Sequence, residues 1–148
     1  MTNDFIYTTY IKSTPEKIWA AITNPEFAKQ YWGNINVSDW KKDSEWKHMD
    51  GDNVRVIGKV IESNSPKYLV LSWAEPDDAS DNSRVTFEIE ELGEMTKLNV
   101  THSHFKTGST MAGKVSKGWP LVISNMKSFL ETGKAFDIHT FKACGKAA

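Results

Sequence analysis

The stretch from Lys114 to Gly133, KVSKGWPLVISNMKSFLETG, is the longest segment of the chain with a clean helical period, and it lies near the C-terminus. Trp119, Val122, Ile123, Met126, Phe129 and Leu130 recur at steps of three, one, three, three and one, so they share one helical face. Lys127, Ser128, Glu131 and Lys134 fall on the other side. Gly133 is placed to close the last turn, where a left-handed residue without a Cβ is favoured. Pro120 either marks the first turn or bends a longer helix that begins near Gly113. The longer helix, bent at Gly118-Trp119-Pro120, is the expected form, because proline removes one backbone donor and crowds the preceding turn. An amphipathic helix of this length needs an apolar surface to cover, and the rest of the chain must supply it.

The upstream residues read mainly as strands. Phe5 to Lys12, FIYTTYIK, is rich in β-branched and aromatic residues, with Tyr7, Thr9 and Ile11 on one face and Ile6, Thr8 and Tyr10 on the other. Ser13-Thr14-Pro15-Glu16 is a helix start signal, combining a capping hydroxyl, proline at the first helical position and an acid in the first turn. A short helix follows with Ile18, Trp19 and Ile22 inward. Asn24-Pro25 breaks it, and Glu26 to Trp32 makes a further turn or two carrying Phe27, Tyr31 and Trp32.

From residue 35 the period becomes two. Ile35 to Trp40, Ser44 to Met49, Val54 to Ser63, Tyr68 to Trp73, Val85 to Ile89 and Thr96 to His104 are candidate strands. Turns at Asp50-Gly51-Asp52-Asn53, Ser63-Asn64-Ser65-Pro66 and Leu92-Gly93-Glu94 separate them. Glu75 to Ser83 and Lys106 to Gly113 read as loops. Short strands at about ten-residue spacing with hairpin-type turns indicate an antiparallel meander. No repeat, linker or low-complexity tract interrupts it.

Composition excludes several classes. At 148 residues, 39% hydrophobic and 25% charged, the chain suits a single domain over residues 1–148, with a core at about 5–133 and a tail from Lys134 to Ala148. The single cysteine, Cys144, leaves no intrachain disulfide and points to a cytoplasmic protein, although a tail thiol could pair between chains in a homodimer. The N-terminus lacks a signal-peptide pattern, and no apolar run approaches the roughly 20 residues of a membrane span. A net charge of −1 without a basic block argues against nucleic-acid binding. Six tryptophans suit either a large core or an apolar pocket.

The order strand, two short helices, strand meander, long C-terminal helix resembles the Bet v 1-like or START-like helix-grip fold. Within it the chain is similar to the family named after the activator of Hsp90 ATPase, the AHSA1-like SRPBCC proteins. The residues that carry the resemblance are Ser13-Thr14-Pro15-Glu16-Lys17-Ile18-Trp19, Thr23-Asn24-Pro25-Glu26, Tyr31-Trp32-Gly33 and Gly58-Lys59-Val60-Ile61-Glu62. Further on come Pro66-Lys67-Tyr68-Leu69, Trp73, Thr96-Lys97-Leu98 with Thr101-His102, Gly118-Trp119-Pro120, and Asn125 to Gly133. The resemblance implies an α+β fold in which a curved antiparallel sheet wraps the C-terminal helix around an apolar cavity. It places Trp73, Phe87, His102, Trp119, Ile123 and Met126 on the cavity wall, where the plainer reading is core packing.

His102 follows Leu98 and Val100 at period two and points inward, either as a satisfied core histidine or as a hydrogen-bonding group or general base. His102 and His104 alone do not make a metal site, since no third ligand stands at matching spacing. Glu75, Asp77, Asp78 and Asp81 lack the pattern of a calcium loop. No nucleophile elbow, triad or glycine-rich phosphate loop is present, so neither catalytic residue nor cofactor is expected. The leading expectation is non-catalytic binding of a small hydrophobic or aromatic molecule in the cavity. The alternatives are a co-chaperone or interaction module for an Hsp90-type chaperone, and a polyketide-cyclase-like enzyme in which His102 with Tyr7 or Tyr31 steers a reactive chain.

Overall fold

Strand pairing, rather than local propensity, sets the architecture. The structure, a computed structural model, describes residues 4–138. Its strands are β1 (Phe5–Ile11), β2 (Ile35–Ser38), β3 (Glu45–Asp50), β4 (Asn53–Asn64), β5 (Tyr68–Glu75), β6 (Asp78–Leu92) and β7 (Met95–Ser103). Its helices are α1 (Pro15–Thr23), α2 (Pro25–Tyr31) and α3 (Met111–Thr132). All strands join one antiparallel seven-stranded sheet in the order β1-β7-β6-β5-β4-β3-β2. This is the helix-grip arrangement, with the curved sheet wrapped around the C-terminal helix. Register shifts at His48/Met49, Val60/Glu62 and Trp73/Glu75 mark bulges, which bend and twist strands locally.

The α1–α2 elbow carries the chain from β1 at one edge of the sheet to β2 at the other. Thr14 caps α1 by accepting from Lys17 N at 3.2 Å, with Pro15 at the first helical position. Asn24 ends α1 and caps α2, its side-chain oxygen accepting from Glu26 N at 2.9 Å and Phe27 N at 3.4 Å. Helix α3 is continuous through Pro120, and Gly133 closes it in the left-handed conformation with its N–H on the Phe129 carbonyl. It begins at Met111, slightly before the expected start near Gly113, because Ser109 Oγ accepts from Met111 N at 3.0 Å and supplies the first turn with a partner.

Three further expectations give way. The stretch Glu75 to Ser83 is not a loop: β5 runs to Glu75, a tight turn follows, and β6 starts at Asp78. Backbone pairing continues there although the side chains are polar. Strand β2 stops at Ser38, since Trp40 has a φ of 59° and sends its indole N–H back to the Thr23 carbonyl. Strand β7 stops at Ser103, since His104 has a φ of 62°. Cys144 and residues 139–148 of the tail lie outside the described residues. The segment just before them is stapled to α3 by Asn125, whose Oδ1 accepts from Phe136 N at 2.7 Å while its Nδ2 donates to the carbonyls of Tyr31 and Phe136.

The inner faces of β5, β6 and β7 supply the surface that α3 covers. Leu69, Leu71 and Trp73 alternate inward, opposite Phe87, Val85 and Ser83, and Phe87, Val85 and Ile89 lie opposite Val100, His102 and Leu98. Helix α3 runs close to β1, α1 and α2, while β4 to β7 lie farther from it. Ring systems bridge that interval. At the β1 edge, Lys127 Nζ donates to the Tyr10 carbonyl at 2.6 Å, and Glu131 accepts from Lys12 N at 2.8 Å, so helix side chains occupy edge groups that could otherwise recruit another strand.

A glycine fixes the far side of the sheet. Trp46 on β3 faces Gly58 on β4 and reaches across it, its indole N–H donating to the Ser72 carbonyl on β5 at 2.7 Å. A Cβ at Gly58 would run into the Ser72 carbonyl oxygen and come within 2.5 Å of Trp46 Nε1. Backbone cannot yield as a flexible side chain can. Gly58→Ala is therefore expected to destabilise the fold by about 3 kcal/mol, the upper part of the usual overpacking range, measured as a fall in urea midpoint; an unchanged midpoint would show that Trp46 does not cross there.

Candidate functional site

Trp119, from the middle of α3, stands at the centre of the space between helix and sheet. Its ring lies 5.5 Å from Trp73, 5.7 Å from Phe87 and 5.7 Å from Trp32, centroid to centroid. Edge-on and tilted contacts at such distances are the favoured geometry for aromatic pairs. The expected wall residues Trp73, Phe87, His102, Trp119, Ile123 and Met126 are all buried in the core around it. Ile123 and Met126 follow Trp119 on the same helical face, at i+4 and i+7.

Hydrogen bonding orders this cluster. An indole N–H can only donate, so Trp119 Nε1 donates to His102 Nδ1 at 3.1 Å. That leaves the proton of the neutral imidazole on Nε2, which donates to Ser83 Oγ at 2.7 Å. The Ser83 hydroxyl completes the chain on the Trp73 carbonyl at 3.3 Å. Every polar atom of the chain is satisfied, and both ring nitrogens of His102 are engaged. Burial pushes the His102 imidazole down to about 3, because a charged ring would have to leave water. His102 is thus a neutral anchor for Trp119, and its one lone pair is already taken by the indole.

The other residues weighed for chemistry are dispersed. Tyr31 is buried and donates to the Ala21 carbonyl at 2.8 Å, and burial pushes its hydroxyl up from its ordinary range. Tyr7 meets Ser124 on α3 at 3.3 Å. Neither tyrosine is a hydrogen-bond partner of His102. His104 is exposed and bonds to Ser103 Oγ at 2.8 Å, so the two histidines do not converge. Glu75 pairs with Lys114 at 3.1 Å, Asp78 accepts from Ser80, and Asp81 accepts from Ser109. Among the described residues no group of three or more His, Cys, Asp or Glu side chains is placed to hold a metal ion.

A second polar chain went unread in the sequence. His48 on β3 is fully buried and packs at a tilt against Trp32, 4.6 Å between ring centroids. Its Nδ1 lies 2.7 Å from Asn36 Oδ1, and its Nε2 lies 3.2 Å from Asn34 Nδ2. Asn36 in turn donates to the Ile22 carbonyl at 2.8 Å. Trp46 and His48, two residues apart, share the inner face of β3, and that spacing was the available signal. Trp32 links the two chains, its ring 4.6 Å from His48 and 5.7 Å from Trp119.

Residues 12–131 match the family model described as activator of Hsp90 ATPase homolog 1-like protein, AHSA1. The chain belongs to the AHSA1 family. Comparison with curated proteins finds no match. Among solved structures, this AHSA1 domain is similar to the Aha1 dimer from Colwellia psychrerythraea, with a TM-score of 0.76 and 22% identity over 89% of this chain and 98% of that one. It is also similar to an HSP90 activator from Plasmodium falciparum, with a TM-score of 0.73 and 22% identity over 86% and 95%. CalU16 from Micromonospora echinospora follows with a TM-score of 0.72 and 19% identity over 88% and 77%. At these identities the structural likeness carries the helix-grip fold alone. Among the described residues no helix is long and apolar enough to cross a membrane.

The state of His102 sets a pH dependence. Its folded value, about 3, lies below the ordinary 6.5, so the unfolded chain takes up the proton first. The contribution is complete above about pH 6.5 and declines as pH falls toward 3, with a slope of at most about 1.4 kcal/mol per pH unit. Urea unfolding of wild type and His102→Gln across that range is expected to show a shallower decline in the variant; parallel profiles would mean that His102 does not stay neutral in the fold.

Proposed function

We propose that this AHSA1-family domain is a non-catalytic binder of a small, flat apolar or aromatic molecule, received against Trp119 between α3 and the inner face of β5 to β7. The observation that supports this reading is the aromatic cluster between helix and sheet, in which Trp32, Trp73 and Phe87 all meet the indole of Trp119. Trp119 is tethered through its ring nitrogen and offers a fixed aromatic face. Met126 and Ile123 beside it are aliphatic, and methionine in particular repacks readily around an inserted ring. Apolar walls with a few fixed polar groups are the usual make-up of a small-molecule site. The proposed wall is Trp73, Phe87, His102, Trp119, Ile123 and Met126. His102, with both nitrogens engaged, serves there as an anchor and not as a base.

Titration with naphthalene is expected to change the intrinsic tryptophan fluorescence saturably, and Met126→Trp, which fills the interval, is expected to weaken binding by tenfold or more. Native mass spectra of gently purified protein are expected to contain a retained small molecule. A flat fluorescence titration over a broad panel of aromatic probes, with clean apo spectra, would refute the reading. The same spectra report whether the chain forms a homodimer, the state of the Colwellia relative.

A second reading rests on the family match: a surface that acts on an Hsp90-type chaperone. It predicts that the chain accelerates ATP hydrolysis by such a chaperone, and that Trp119→Phe, altered only inside the domain, leaves that acceleration unchanged. An unaltered ATPase rate at saturating chain would remove it.

A further inference from the structure

Asn34 has an unused acceptor in a dry place. It is 5% exposed, and its Oδ1 is buried without a hydrogen-bond partner among the described residues. The amide's orientation follows from its neighbours. The Ile22 carbonyl can only accept, so Asn36 must turn Nδ2 toward it and Oδ1 toward His48. Nδ1 of His48 therefore carries a proton, and in the Nδ1–H tautomer Nε2 is the acceptor. Asn34 meets that acceptor with Nδ2 at 3.2 Å, which turns its own oxygen away from the chain. Leaving a buried amide oxygen unpaired is unfavourable, and native interiors seldom keep one without a donor from water or a ligand.

The place of this oxygen bears on what the interior takes up. His48 packs at a tilt against Trp32, and Trp32 packs against Trp119, so the Asn34-His48-Asn36 chain adjoins the aromatic cluster through Trp32. The His102 chain has no vacancy, whereas the Asn34 chain has one acceptor open. We infer that the molecule bound in the interior is a hydroxylated aromatic of the phenol class, its rings against Trp32 and Trp119 and its O–H donated to Asn34 Oδ1. This rests on the reading of the interior as an aromatic-ligand site. A neutral hydroxyl suits the position better than an ammonium, because the acceptor carries no charge and a cation in a dry aromatic setting needs an ionised partner.

The test compares 2-naphthol with 2-methylnaphthalene, which have nearly the same shape and differ in the donor. In wild type, the ratio of the two dissociation constants is expected to favour 2-naphthol, and Asn34→Ala is expected to reduce that ratio by about five- to tenfold, the worth of one buried hydrogen bond. In the unaltered protein, the side-chain amide resonances of Asn34 are expected to shift with 2-naphthol and to stay in place with 2-methylnaphthalene; this readout stands even where the variant folds poorly. Equal ratios in wild type and variant, or amide shifts that do not distinguish the probes, would assign the oxygen to a buried water and overturn the inference while leaving the aromatic-ligand reading intact. Failure of both probes to bind wild type would overturn both.

Discussion

The hydrogen bond from Trp119 to His102 ties the principal helix of this domain to its sheet. Polar contacts also hold α3 at the β1 edge, through Lys127 and Glu131, and at α2, through Asn125, but facing β5 to β7 its attachment is otherwise dispersion and burial, which are strong in sum but do not specify one rotation of the helix. A donor-only indole and a single available lone pair do. Because Nε2 of the same ring must donate to Ser83, and Ser83 to Trp73, the helix is registered against β5, β6 and β7 together. Each member constrains the next, so a short polar chain inside an apolar core sets the spacing between the two layers.

Two buried histidines hold a proton on opposite ring nitrogens, each set by the partner that faces it. His102 is protonated on Nε2 because an indole faces Nδ1, and His48 is protonated on Nδ1 because an amide oxygen held by the Ile22 carbonyl faces it. Trp32 contacts His48, and Trp119 contacts both Trp32 and His102. Buried polar groups of this kind are tolerated only when their partners are in place. The first chain is closed and structural. The second ends in an open acceptor, and the asymmetry between them directs attention to the Asn34 side of the aromatic cluster.

Much of this was legible in the sequence, for identifiable reasons. The helical period of Trp119 to Leu130, the proline and capping signals at Thr14 and Asn24, and the alternation of Leu98, Val100 and His102 are local patterns, and local patterns need no knowledge of partners. The convergence of Trp73, Phe87, His102 and Trp119 came from family resemblance, since their proximity depends on sheet register. What stayed hidden was non-local. Gly58 gains its meaning only when Trp46 lies opposite it and Ser72 beside it. Asn34 and Asn36 look like loop and edge polarity until His48 is brought between them. Glu75 to Ser83 reads as a loop by side chain, yet strand pairing there is a backbone matter and is indifferent to polar side chains facing water.

In the proposed complex Trp119 presents a fixed aromatic face to an incoming ring while remaining bonded to His102. The indole N–H resonance of Trp119, followed by two-dimensional NMR during a titration with naphthalene, reports both parts at once. The account predicts a saturable ring-current shift of that resonance with its slow solvent exchange preserved, and little change at Trp40, whose indole bonds to Thr23 at the helical elbow. A Trp119 resonance that stays in place at saturating naphthalene would contradict it.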